Sequence, residues 1–134
     1  ITLHSAVASP RYVVVLDPSF IGSIDFTAGM PPDGVLLINS SESSSAMRKR
    51  LKLGSEETKV YTLDASRISE ETIGRPIPNT PMLGAVVAAT NIMTVDQLLE
   101  DTRKRLERKF RNRPELIDGN MAAISQAYEE VQRQ

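Results

Sequence analysis

The hydrophobic pattern divides the chain into a strand-rich front and a helical back. Tyr12–Asp17 (YVVVLD) is a short, β-branched apolar run stopped by Pro18. Gly34–Asn39 (GVLLIN) repeats that grammar behind the turn residues Pro31-Pro32-Asp33-Gly34, and Lys59–Asp64 (KVYTLD) is a third such run. Runs that are apolar on both faces predict strands of a parallel sheet. Between the second and third lie a polar serine tract and Ala46–Leu51, an N-cap region leading into a short helix. Strand, helix and strand at this spacing form a βαβ unit. Residues 18–33 are less regular. Phe20, Ile21 and Ile24 suit a short helix that Gly22 and Gly29 loosen.

After Asp64 the pattern changes. Ser66–Ile73 predicts a short helix ending at Gly74. Arg75–Pro81 holds three prolines, which forbid regular structure there. Asn79 or Thr80 is expected to cap a following helix with Pro81 in its first turn. Met82–Thr90 (MLGAVVAAT) has no polar face, so it is expected to be buried against the sheet or a partner. Thr94 opens what reads as the longest helix, with Val95, Leu98, Leu99, Thr102, Leu106 and Phe110 on one stripe. Pro114 starts a last segment, on which Ile117, Met121, Ile124, Tyr128 and Val131 recur at threes and fours. The expected fold class is α/β: three-layer, mostly parallel sheet with flanking helices and a helical C-terminal region. The 134 residues read as one domain, with a strand-rich α/β part over 1–65 and a loop and helical part over 66–134.

Composition narrows the chemistry. There is no cysteine and one histidine, His4, so these residues supply no disulfide, thiolate zinc site, cysteine nucleophile or iron–sulfur ligand. Sixteen basic residues against seventeen acidic give a net charge of -1, which argues against nucleic acid as the partner. No apolar run reaches the length of a membrane span. The start at Ile1 carries no signal-peptide pattern, so a cytoplasmic setting is expected.

Candidate site residues each carry two readings. Asp17, Asn39 and Asp64 end strands, where open α/β sheets bind ligands; capping of the following loop or helix is their commoner use. Arg75, Asn79 and Thr80 are the most pointed group. A proline-stiffened loop places a cation beside a helix N-terminus, which suits an anion or phosphate; the plainer use is a packing loop with a cap. His4 and Ser5 are adjacent on a strand and point to opposite faces, so they make no nucleophile–base pair. The serine tract reads as a solvated loop. Arg103–Arg113 holds seven basic residues and one acidic on an amphipathic helix without an aromatic platform, which suits solvent or a docked subunit better than nucleic acid.

Gly74–Ala85 (GRPIPNTPMLGA) resembles the gamma subunit of 2-oxoacid:ferredoxin oxidoreductases, with Leu3-His4-Ser5, Tyr12–Pro18, Gly34–Asn39 and Ala127-Tyr128-Glu129 matching in order. The resemblance covers nearly the whole chain. The family's glycine-rich loop, which precedes the leucine–histidine–serine stretch, has no counterpart here, so the chain is expected to be incomplete at its front. The resemblance implies a complex that oxidatively decarboxylates pyruvate or a related 2-oxoacid to an acyl-CoA and reduces ferredoxin. It also implies thiamine diphosphate, magnesium, iron–sulfur clusters and coenzyme A in the complex. None is expected to be bound by this chain alone, because cysteine and the family's thiamine-binding pattern are both missing. The implied role is structural, with Arg75, Asn79 and Thr80 as candidate contacts to coenzyme A. The implied partners are thiamine-binding and cluster-carrying subunits, and ferredoxin through them. The competing reading is a free-standing α/β module that binds a small phosphorylated ligand.

Overall fold

A computed structural model describes residues 11–53 and 55–134. Leu3, His4 and Ser5 lie outside the described residues. The chain divides into two compact units, one ending at Asp64 and taking in Gln134, the other spanning Ala65–Arg133.

The first unit is a three-stranded parallel sheet in the order β1 (Tyr12–Val15), β2 (Val35–Asn39), β3 (Lys59–Leu63). Tyr12 pairs with Val35, and Val35 with Lys59. β2 is buried along its whole length, as a central strand apolar on both faces should be. On one face Val13, Val15, Leu36, Ile38 and Val60 form a core with Met47 of α1 (Ser44–Leu51), flanked by Ile21, Phe26, Met30, Leu51 and Leu53. The serine tract supplies the N-cap of α1, as expected, but the helix starts within it, at Ser44: the Ser43 hydroxyl accepts from the Ala46 N–H at 3.1 Å.

Two expectations for this unit need correcting. The first strand stops at Val15, because Asp17 turns outward to cap a 3-10 helix at Pro18–Phe20. Residues 21–33 form no further helix. Gly22 and Gly29 adopt positive φ and break the run, which leaves a single bridge between Ile21 and Ile24.

The second unit is helical: α2 (Ala65–Thr72), α3 (Asn79–Thr90), α4 (Val95–Lys109) and α5 (Pro114–Gln132). Helix α2 ends as expected, with Gly74 at φ 88° and its N–H donating to the carbonyls of Ser69 and Glu70. Thr94 caps α4 through the Gln97 N–H at 3.1 Å. Helix α5, with 19 residues, is the longest described, not the 15-residue α4. Pro114 sits at its start, where proline is tolerated, and the apolar spacing then runs unbroken to Val131.

Within this unit α3 packs chiefly on α5. A Cβ placed on Gly84 would run into the Ile124 carbonyl, so glycine there lets the two backbones meet. Val87, Leu98 and Ile124 form the shared core, with Leu99 and Tyr128 against it. The apolar run from Met82 in α3 thus serves helix–helix packing inside the unit. One side stays uncovered, where Leu83 is 42% exposed. The stripe on α4 is shorter than its sequence pattern suggests. Leu98 and Thr102 are buried, but Leu106 and Phe110 are only half-buried.

Candidate functional site

The first group of candidate residues lies at the carboxyl ends of the strands. Asp17 accepts the Ser19 N–H at 2.9 Å, and the Ser19 side chain and N–H hold its carboxyl below the usual aspartate range. It is therefore the cap of the 3-10 helix. Asn39 is 5% exposed. Its side-chain amide donates back to the Leu16 carbonyl at 3.0 Å and ties the end of β2 to the end of β1. Next to it the Ser40 N–H donates to the Leu63 carbonyl at 2.9 Å, so the ends of the three strands are linked. Asp64 comes directly after β3 and immediately precedes α2. Asp17 and Asn39 spend these bonding groups on structure, as buried or turn-forming polar groups commonly do.

The second group is the loop from Gly74 to Pro81. Its anchor is Ser69, on α2 and fully buried. The Ser69 hydroxyl donates to the Arg75 carbonyl and accepts the Ile77 N–H at 2.8 Å. The Ile77 N–H also reaches the Arg75 carbonyl at 2.9 Å, which closes a tight turn. Pro76 and Pro78 restrict the rest. This frame leaves the Arg75 and Asn79 side chains exposed and Thr80 half-buried. Among the described residues the Arg75 guanidinium has no hydrogen bond or ion pair. Nothing in the sequence pattern pointed to Ser69. A serine on a short helix carries no signal beyond its place shortly before Arg75.

Neither Asn79 nor Thr80 caps α3. Pro78 holds the N-cap position with φ −66° and ψ −18°, already helical, and the Met82 N–H bonds to its carbonyl at 3.1 Å. Proline's fixed φ brings the first turn forward by one residue, so Asn79 and Thr80 lie within it. No side chain caps this N-terminus. The result, among the described residues, is a partnerless guanidinium a few residues ahead of a helix start whose first N–H groups have no side-chain acceptor, chemistry that suits an anionic group.

The GRPIPNTPMLGA stretch therefore has two jobs. Its front half, Arg75 to Asn79, is largely exposed and held in shape. Its back half is packing: Pro81, Met82, Gly84 and Ala85 are buried. Among the described residues no three His, Cys, Asp or Glu side chains converge as a metal site, and no helix is long and apolar enough to cross a membrane.

Comparison with known proteins places these observations. The model of the pyruvate ferredoxin/flavodoxin oxidoreductase family matches residues 1–130. Pyruvate synthase subunit PorC of Thermotoga maritima is 38% identical over 133 residues, which are 98% of this chain and 65% of that protein. The pyruvate/ketoisovalerate oxidoreductases common subunit gamma of Pyrococcus abyssi is 34% identical over 132 residues, 98% of this chain and 67% of that one. The chain thus spans about two thirds of the length of these relatives. The crystal structure of pyruvate oxidoreductase subunit PORC from Thermotoga maritima matches with a TM-score of 0.77 and 36% identity, covering 94% of this chain and 66% of that one. The gamma subunit of a keto/oxoacid ferredoxin oxidoreductase from Geobacter sulfurreducens shares the fold, with a TM-score of 0.65 at 17% identity over 92% of this chain and 65% of that one.

Proposed function

The chain belongs to the pyruvate ferredoxin/flavodoxin oxidoreductase family, and from that premise we propose that it is the gamma subunit of a 2-oxoacid:ferredoxin oxidoreductase. The observation that carries this reading is the match to PorC along 98% of the chain at 38% identity. The complex would convert pyruvate or a related 2-oxoacid and coenzyme A to an acyl-CoA and carbon dioxide, passing two electrons to ferredoxin in the cytoplasm. Thiamine diphosphate, with magnesium, supplies carbanion stabilisation when bound, and iron–sulfur clusters carry electrons. These 134 residues hold no thiolate, so they supply no cluster ligand themselves.

This chain's part is assembly and one edge of the coenzyme A site. Arg75 meets a phosphate of the coenzyme as a charge-assisted donor. Asn79 and Thr80 add side-chain and backbone donors at the start of α3. Supporting this are the exposed guanidinium, without a partner among the described residues, and the loop geometry that Ser69 maintains. A stiff loop binds with less ordering cost than a floppy one.

The test is affinity isolation from the source cells through a tag on this chain. Thiamine diphosphate, iron and acid-labile sulfide are expected to co-elute with additional subunits. Elution of the chain alone, free of these groups, overturns the reading.

A further inference from the structure

We propose that the second half of α4 and its exit are a docking surface for a carboxylate-rich segment of another subunit, an inference that rests on the assembly proposed above. Arg103, Arg105, Arg108, Lys109 and Arg111 are all exposed, and none has a carboxylate partner among the described residues. Of the neighbouring cations, Lys104 pairs with Glu100 at 3.3 Å and Arg113 with Glu115 at 3.1 Å. Lys104 and Arg108, and Arg105 and Lys109, stand four apart on the helix, the spacing at which like charges repel. Cations in a last turn are favoured by the helix dipole, which accounts for Arg108 and Lys109. It does not account for Arg103 and Arg105, which lie before that turn, or for Arg111 beyond it. The self-repulsion is relieved when carboxylates from outside settle among them.

A second feature adjoins the first. A cleft of about 490 Å³ opens between α4 and α5, lined by Leu99, Met121, Ala122 and Ser125, with Glu100 and Arg103 also on its wall. Leu106 and Phe110 are only half-buried, so apolar surface continues along the same helix. An apolar side chain in the cleft, with acidic neighbours along the arginines, fits both features at once. A second copy of this chain fits badly, since a symmetric contact through this patch sets cations against cations. Nucleic acid fits badly too, because the one aromatic ring among these charges, Phe110, is half-buried with the Lys109 ammonium 5.3 Å over it, and the whole chain is at -1.

Zero-length carbodiimide coupling of the intact complex tests the proposal, because it joins a lysine amine to a carboxylate in direct contact. Peptide mass spectrometry is expected to find Lys104 or Lys109 joined to Asp or Glu of a different subunit. Links to Glu100 alone, or no links, in an isolate with its full set of subunits overturn this inference and leave the functional reading standing. An isolate without other subunits overturns both. In a second measurement, Arg103→Glu/Arg105→Glu/Arg108→Glu is expected to keep the wild-type circular dichroism and to lower affinity for the other subunits by about tenfold or more, with a shallower salt dependence. Unchanged affinity, or wild-type binding to oligonucleotides or anionic vesicles in preference to the subunits, contradicts the surface assigned here.

Discussion

The fully buried hydroxyl of Ser69 holds the backbone of Arg75: it donates to the Arg75 carbonyl while accepting the Ile77 N–H at 2.8 Å. One small side chain on α2 thereby fixes the turn that displays the guanidinium. Ser69→Ala removes both bonds and leaves polar backbone groups underserved. It should lower stability by roughly 1–3 kcal/mol, read as a shift in the denaturant midpoint. A variant as stable as the wild type would show that the turn does not depend on Ser69.

Arg75→Ala separates ligand contact from packing. Its side chain is exposed, so folding and assembly should be unaffected. With the assembled complex, the KM for coenzyme A should rise roughly ten- to a hundredfold, the loss expected for one charge-assisted hydrogen bond, while the KM for the 2-oxoacid stays constant. An unaltered KM for the coenzyme removes Arg75 from the site, and failure to assemble makes it a packing residue.

The contact between α3 and α5 rests on Gly84, over the Ile124 carbonyl. Gly84→Ala forces a methyl group against backbone that cannot step aside as a flexible side chain would. The cost should be about 1–3 kcal/mol, despite alanine's better helix propensity. A thermal melt unchanged or raised by the substitution contradicts the close approach.

Acid sensitivity is expected from the first unit. Asp17 is held below the usual aspartate range by the Ser19 side chain and N–H, and Asp25 by the Thr27 hydroxyl and N–H. The Asp25 bonds measure 2.6 Å to the hydroxyl and 2.9 Å to the N–H. A carboxyl whose pKa falls on folding contributes stability above its unfolded value, and that contribution is lost as pH falls through the folded one. The change therefore lies below about pH 4. Asp17→Asn/Asp25→Asn should show a smaller loss of urea midpoint between neutral and acid pH than the wild type. An equal loss would assign the acid limb to other groups.

Much of the fold is written in local patterns. The strands arise from short runs rich in apolar and β-branched residues, and β2, central and buried along its whole length, needs no alternation. Thr94 announces its helix because a hydroxyl next to a helix start has one obvious acceptor role, whereas the serine tract announces α1 without marking Ser43 as its cap. The end of α2 is marked by Gly74, whose positive φ suits glycine.

Other features depend on pairings that sequence spacing does not encode. Asn39 reaches back to Leu16 across the sheet, a contact 23 residues away in sequence. Pro78, by its fixed φ, starts α3 before the residues best suited to cap it. Leu106 and Phe110 keep the helical period, yet little packs over them in that part of α4. At the site, Arg75, Asn79 and Thr80 stood out through residue type and proline context. Ser69 did not, because its importance comes from the carbonyl it meets and not from anything around it in the chain.

The central claim is that this chain is part of a 2-oxoacid:ferredoxin oxidoreductase. The most direct measurement is the reduction of ferredoxin by the complex isolated through a tag on this chain, with pyruvate and related 2-oxoacids offered in turn. Reduction that requires both a 2-oxoacid and coenzyme A, and that elutes with this chain in fixed proportion, is the predicted result. An isolate that contains the chain with its bound partners but reduces no ferredoxin with any 2-oxoacid would contradict it.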